Sequence, residues 1–149
     1  MQKAHDRKVD LLLPVDVVVA NSLDAPVGSV VDAYAIPDGS MALDIGPRTI
    51  ALYTEQIERA KTIFWNGPMG LFESKPFSRG TFEIAKVMSA ASGFTVIGGG
   101  DSAAAVRKAG DDIAAGIDHI STGGGASLEL IEGRKLPGIE VLRLPEDAS

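Results

Sequence analysis

No cysteine occurs among the 149 residues, which excludes disulfides and thiolate metal sites and permits a reducing cytoplasm. Positive charge is also short. Against 20 Asp and Glu stand 14 Lys and Arg, a net charge of −6 that argues against a nucleic-acid partner. Long apolar runs are missing too: nothing approaches the roughly 20 residues of a membrane helix. The polar opening "MQKAHDRKVD" is no signal peptide, so neither a membrane nor secretion is expected. A small anion stays possible, because backbone dipoles can hold a phosphate against an unfavourable mean field. What is present is 45% hydrophobic residues, enough for the core of one domain.

Along the chain, strand and helix patterns alternate. "DLLLPVDVVVA" (10–20) is a near-continuous apolar run that predicts a strand buried on both faces, with Pro14 confining regular pairing to 15–20. A shorter extended excursion follows in "GSVVDAYAIPDG" (28–39), bounded by prolines and glycines. "DIGPRTIALYTEQIERAKT" predicts a helix with Pro47 in its first turn and Ile50, Tyr53, Ile57 and Ala60 on one face. "TIFWNGP" reads as the second strand, and 81–91 as a helix capped by Thr81. "FTVIGGG" and "GIDHIST" are the third and fourth strands, each running through glycines into a helix. The fold class is therefore α/β, a parallel Rossmann-like sheet flanked by helices, with ligands expected beyond the carboxyl ends of the strands. The polar tail, 143–149, is expected to fray.

The two glycine turns carry the functional signal. "IGGGDSA" and "STGGGAS" each place three glycines between an apolar strand and a helix opening on small residues. Such backbone turns tightly, approaches a ligand closely and presents several N–H groups to one oxygen cluster. "GGGDSA" also satisfies the weak dinucleotide pattern G-x-G-x-x-A, but the acid that would hold a ribose is misplaced, since Asp118 opens the next strand instead of ending it. The Walker pattern is absent. No basic residue occurs from Phe94 through Val106 or from Ile120 through Glu132. Phosphoryl transfer relies on positioning and cationic stabilisation, so these turns look like half of such a site.

The ordered motifs "LLLPVDVVVA", "AIPDGSMALDIGP", "WNGPMGLFE", "FSRGT", "IGGGDSAAAV" and "HISTGGGASLELIEGRKLPGIEVL" resemble the C-terminal part of phosphoglycerate kinase, from about Val9 to Leu142. The resemblance implies a partial nucleotide-binding domain over 1–149, roughly the last third of a two-lobed, cytoplasmic glycolytic kinase. That enzyme exchanges a phosphoryl group between 1,3-bisphosphoglycerate and ADP, giving 3-phosphoglycerate and ATP. The substrate lobe and a phosphate-contacting lysine are then expected upstream of the residues given.

Residue by residue, the resemblance makes Gly98, Gly99, Gly100, Asp101 and Ser102 the nucleotide phosphate turn, with Asp101 meeting Mg2+. Asn66, Gly67 and Pro68 become the turn beside phosphates and ribose, Glu73 the ribose acid, and Leu43 and Leu71 apolar walls. Gly123, Gly124 and Gly125 face the transferring phosphoryl group through backbone N–H groups. Alone, Asp101 or Ser102 reads as a helix cap, Glu73 as a solvated carboxylate, and the leucines as core.

His119 lies in an apolar strand and reads as a core or hinge-side residue, and Trp65 as packing. Where the family reads Gly-Trp-Met-Gly-Leu-Asp this chain has "GSMALD", so Ser40 and Ala42 alter the surroundings of Leu43. The full-length enzyme is expected to be a monomer. The isolated chain is expected to lack kinase activity and to self-associate through an unpaired edge of the 10–20 strand. Two alternatives remain at this stage: an NAD-type dinucleotide module, and a folded fragment without a ligand of its own.

Overall fold

The apolar run that opens the sequence divides at Pro14. The computed structural model of the chain describes residues 1–121 and 123–142, so the expected fraying of 143–149 lies outside the described residues. After a short helix α1 (Gln2–Asp6), Val9 and Leu11 to Leu13 are exposed, and strand β1 covers only Asp16–Ala20. β1 is not a parallel strand. It lies between β2 (Ser29–Asp32) and β3 (Met41–Ile45) and pairs antiparallel with both. Short connections within 16–45 favour antiparallel neighbours, and a bulge between Val18 and Val19 bends β1 where it meets β3. The unpaired edge expected on this run is therefore absent, because both sides of β1 are paired.

The second sheet is parallel, in the order β4 (Thr62–Asn66), β5 (Phe94–Gly98), β6 (His119–Ser121). Among the described residues β4 and β6 are its outer strands. Helices α2 (Pro47–Arg59), α3 (Arg79–Ser89), α4 (Gly100–Ala109) and α5 (Asp111–Ala115) accompany it, followed by α6 (Gly124–Ile131) and α7 (Pro137–Glu140). The main core gathers Ile45, Trp65, Ile84, Met88, Ile97 and Val106, with the expected α2 face of Ile50, Tyr53 and Ile57 packed against it. Trp65 packs in this core as expected, and its buried Nε1 has no hydrogen-bond partner among the described residues. His119 is exposed, which corrects the core reading: on the three-residue β6 its side chain falls on an uncovered face.

Two helices are capped from a distance. At α2 the N-cap is Gly46, which has no side-chain acceptor. Asp16 of β1 replaces it, accepting from the Arg48 and Thr49 N–H groups at 3.0 and 2.8 Å. In return, Thr49 Oγ1 accepts from the Val15 and Asp16 amides at 3.0 and 3.1 Å. This is a capping box spread over two elements 33 residues apart. Burial pushes the Asp16 carboxyl up, but the bonds from Thr49 and Arg48 outweigh it and hold it below its usual value.

Asp44 does the equivalent at α3. It was expected within a helix but lies in β3, since the helix begins only at Pro47. Ser78 at the α3 N-cap donates its hydroxyl to the Lys75 carbonyl instead of capping, and Asp44 accepts from Gly80 N–H at 2.7 Å. The helix therefore starts two residues before Thr81, which corrects the expected cap.

Candidate nucleotide site

Parallel pairing sets the site. The ladder aligns Asn66 of β4 with Gly98 of β5 and Ser121 of β6, so the turns leaving all three strands open on one edge. Gly99 N–H donates to the Ser121 carbonyl at 3.1 Å, joining the two glycine turns by their backbones. Their contact is close: a Cβ on Gly124 would stand 3.2 Å from Gly99 Cα. Gly99 has φ +97°, a conformation that favours glycine, and any Cβ there would lie 2.9 Å from Asn66 Oδ1.

Gly99 is also the N-cap of α4 and offers no side-chain acceptor to the first turn. The helix's first intrahelical bond runs from Ala103 N–H to Gly99 O, so the amides of Gly100, Asp101 and Ser102 precede the ladder. These donors, at the positive end of a ten-residue helix, suit a phosphate. Gly100 and Asp101 are exposed, the latter placing one carboxylate beside the donors. Ser102 differs from its neighbours: it is 1% exposed, and its Oγ accepts from Gly67 N–H at 2.7 Å. The hydroxyl binds the Asn66–Pro68 turn to the start of α4.

At the second turn, Gly123 N–H donates to Ser121 Oγ at 3.2 Å, and Ser127 Oγ donates to the Gly123 carbonyl. Gly124 and Gly125 open α6, and Gly125 is exposed. Donors from this turn thus flank those of α4.

The segment 67–73 is tied down at almost every residue. Thr81 Oγ1 accepts from the Met69 and Gly70 amides at 3.0 and 3.2 Å. Leu71 N–H donates to the Leu43 carbonyl at 2.8 Å. Lys108 Nζ reaches back from the last turn of α4 to the Phe72 and Glu73 carbonyls, at 3.3 and 3.1 Å, and stands over the Phe72 ring. Beside this segment lies a cleft of about 550 Å³, lined by Leu43, Pro68, Gly70, Leu71 and Glu73, with Ala42 and Asp44 also on its wall. Leu43 is buried, Leu71 half-buried and Glu73 exposed. Of the two departures near Leu43, Ala42 borders the cleft, whereas Ser40 donates to Asn21 Oδ1 at 2.9 Å.

Reading along the chain missed Asp44, Thr81 and Lys108 as parts of this region. The only sequence signal for Asp44 was an acid amid apolar residues in "MALDI". Asp118, the one candidate for a dinucleotide acid near this motif, is occupied at the opposite end of the sheet. It accepts from Thr95 N–H and Oγ1 at 2.8 and 2.9 Å, and these bonds lower its pKa.

The fold and these turns define an α/β protein with glycine-rich turns along the carboxyl edge of a parallel sheet. The family model described as phosphoglycerate kinase matches residues 1–134, and the chain belongs to that family. It is 59% identical over 141 residues to "Phosphoglycerate kinase" of Anaeromyxobacter sp. (strain K), covering 94% of this chain and 35% of that protein. Identity to "Phosphoglycerate kinase, cytosolic" of Trypanosoma congolense is 53% over 147 residues, covering 95% of this chain and 34% of the relative. A solved phosphoglycerate kinase from Coxiella burnetii superimposes with a TM-score of 0.85 at 38% identity, over 95% of this chain and 36% of that one. The chain thus spans about a third of the length of these relatives. No helix among the described residues is long and apolar enough to cross a membrane.

Proposed function

We propose that these residues form the part of a phosphoglycerate kinase nucleotide lobe that holds ADP or ATP by phosphates and ribose. The observation that carries this reading is the joining of the two glycine turns, with the unpaired N–H groups of the α4 N-terminus between them and the Leu43–Leu71–Glu73 cleft nearby. Gly98 to Ser102 would supply the phosphate cradle, with Ser102 fixing the Asn66–Gly67–Pro68 turn against it. Leu43 and Leu71 would wall the nucleotide, Glu73 would accept from ribose hydroxyls, and Gly123 to Gly125 would face the transferring group, Gly124 and Gly125 with their amides, since Gly123 N–H is held by Ser121 Oγ. In-line phosphoryl transfer needs no side-chain nucleophile, and the sequence offers no nucleophile–His–acid set.

A magnesium ion fits Asp101: one exposed carboxylate beside phosphate-binding amides is the usual sparse protein share of its shell, phosphate oxygens and waters supplying the rest. When bound, it would neutralise phosphate charge. The reaction proposed for the whole enzyme is phosphoryl exchange between 1,3-bisphosphoglycerate and ADP in the cytoplasm. As an isolated polypeptide the 149 residues, which span about a third of the relatives' length, are inactive, because the substrate lobe and the phosphate-contacting lysine that the family implies lie outside them.

Titrating the labelled chain with ADP, with and without magnesium, tests the reading. Saturable, magnesium-dependent amide shifts at Gly98 to Ser102 are expected. A well-dispersed spectrum that ADP leaves unmoved would overturn it.

A further inference from the structure

From the buried contacts around β3 we infer that Asp44 is a positioning residue of the nucleotide cleft, locking the N-terminus of α3 and the 67–73 segment into one geometry. The inference rests on the nucleotide reading of that cleft.

Asp44 is 3% exposed. Its Oδ2 accepts from Gly80 N–H at 2.7 Å and its Oδ1 from Ile45 N–H at 2.9 Å. Both glycines that face it are fitted to it. A Cβ on Gly80 would meet Oδ1 at 2.3 Å, and one on Gly70 would meet Oδ1 at 2.4 Å and the Leu43 carbonyl at 2.6 Å. The carboxylate thus sits where strand, helix start and loop converge, with no space for a side chain at either glycine.

The consequences run outward from this point. Holding Gly80 fixes Thr81, whose hydroxyl carries the Met69 and Gly70 amides. The strand position of Asp44 also sets the Leu43 carbonyl that receives Leu71 N–H. Leu43, Leu71 and Glu73, the residues proposed to touch the nucleoside, are therefore placed through Asp44 without its touching the ligand.

Among the described residues no cation answers this charge. Val18 is its partner on β1. Of the charged side chains on the adjoining elements, Glu73 on the loop and Arg79 and Lys86 on α3 are exposed, Glu83 of α3 is half-buried and pairs with Lys86, and Asp16 of β1 is buried but bonded to the start of α2. Burial accordingly pushes the Asp44 carboxyl up to about 6, although the two backbone donors pull the other way. An ionised group kept at such a site is costly, and costs of this kind concentrate where geometry matters to function.

The test compares the chain with Asp44→Asn, which keeps the shape and removes the charge. Amide exchange is measured at Leu71, Gly70 and Gly80 from pH 5 to 8, corrected for intrinsic rates, together with ADP affinity. In the parent chain, protection at these amides should change with a midpoint near pH 6. In D44N it should be flat with pH and about tenfold lower, because the Asn Nδ2 replaces one of the two oxygens that accept from Gly80 and Ile45, with ADP affinity reduced about tenfold. Pyrophosphate-induced shifts at Gly99 to Ser102 should persist, since that turn does not depend on Asp44. Unchanged protection in D44N, or protection that is flat with pH in the parent, overturns the inference. Should D44N fail to fold, the parent pH profile alone decides. An ADP-silent parent chain with pH-dependent protection would sink the nucleotide reading while leaving the locking role of Asp44 supported.

Discussion

Ser102 and Gly67 are 35 residues apart in sequence and 2.7 Å apart in space, the serine hydroxyl accepting the glycine amide. This single bond couples the turn after β4 to the helix start after β5, the two pieces proposed to share a nucleotide. Ser102 is thereby a support for the proposed cradle as well as a proposed member of it. Its hydroxyl is spoken for by protein, whereas its backbone N–H is free for phosphate.

Ser102→Ala leaves the Gly67 amide without its acceptor in a partly buried setting. A loss of about 1–2 kcal/mol in unfolding free energy is expected from urea denaturation. ADP affinity should fall as well, with amide shifts spreading from Ser102 to Asn66 and Pro68. A variant with parental stability and affinity would show that the two turns hold their positions independently.

The parallel sheet and its turns were legible in sequence because each strand is a short apolar run stopped abruptly by glycine. "TIFWNGP" and "FTVIGGG" end where β4 and β5 end, at Asn66 and Gly98. β3 was not legible. "MALDI" carries no alternation, and the helical period beginning after it drew Asp44 and Ile45 into α2. Nor could Thr81 be separated from a local cap, because Asp44, 36 residues before Gly80, supplies the cap from another element. What a linear reading misses here is tertiary capping, where the acceptor and the helix share no local signature.

Lys108→Met tests the far end of the cleft. The ammonium holds two carbonyls at Phe72 and Glu73, and methionine keeps the apolar stem over the ring while removing the donors. Stability should change by less than about 1 kcal/mol, since the group is largely solvated. Faster amide exchange through 72–74 and weaker ADP binding are the expected readouts. Unaltered binding would place Glu73 outside the ribose contacts.

The two buried aspartates should give stability opposite pH trends. Asp16 is depressed in the folded chain, so its contribution is complete above its unfolded pKa of about 3.8 and is lost as pH falls through the lower folded value. Asp44 is raised to about 6, so the folded state holds its proton more tightly. Its contribution is most favourable below about pH 4 and falls as pH rises to 6, by on the order of 3 kcal/mol. Urea unfolding across pH 4–8 should show this decline in the parent, and D44N should remove it. Thr49→Val, which strips Asp16 of its hydroxyl partner, should cost about 1–3 kcal/mol at pH 7.

Gly99→Ala separates the cradle from the rest of the fold. Two independent terms oppose the alanine: φ of +97° lies outside what its side chain readily adopts, and its Cβ would come 2.9 Å from Asn66 Oδ1. Asn66 is exposed and can swing aside, so the backbone term should dominate, about 1–2 kcal/mol. Relief would come from rotating the Gly99 peptide, and that motion breaks its N–H bond to Ser121 and redirects the first amides of α4. Calorimetric titration with ADP should therefore show a larger loss of binding than unfolding shows of stability. Equal losses would mean that the turn is only a tight corner between strand and helix, and that the phosphates bind elsewhere.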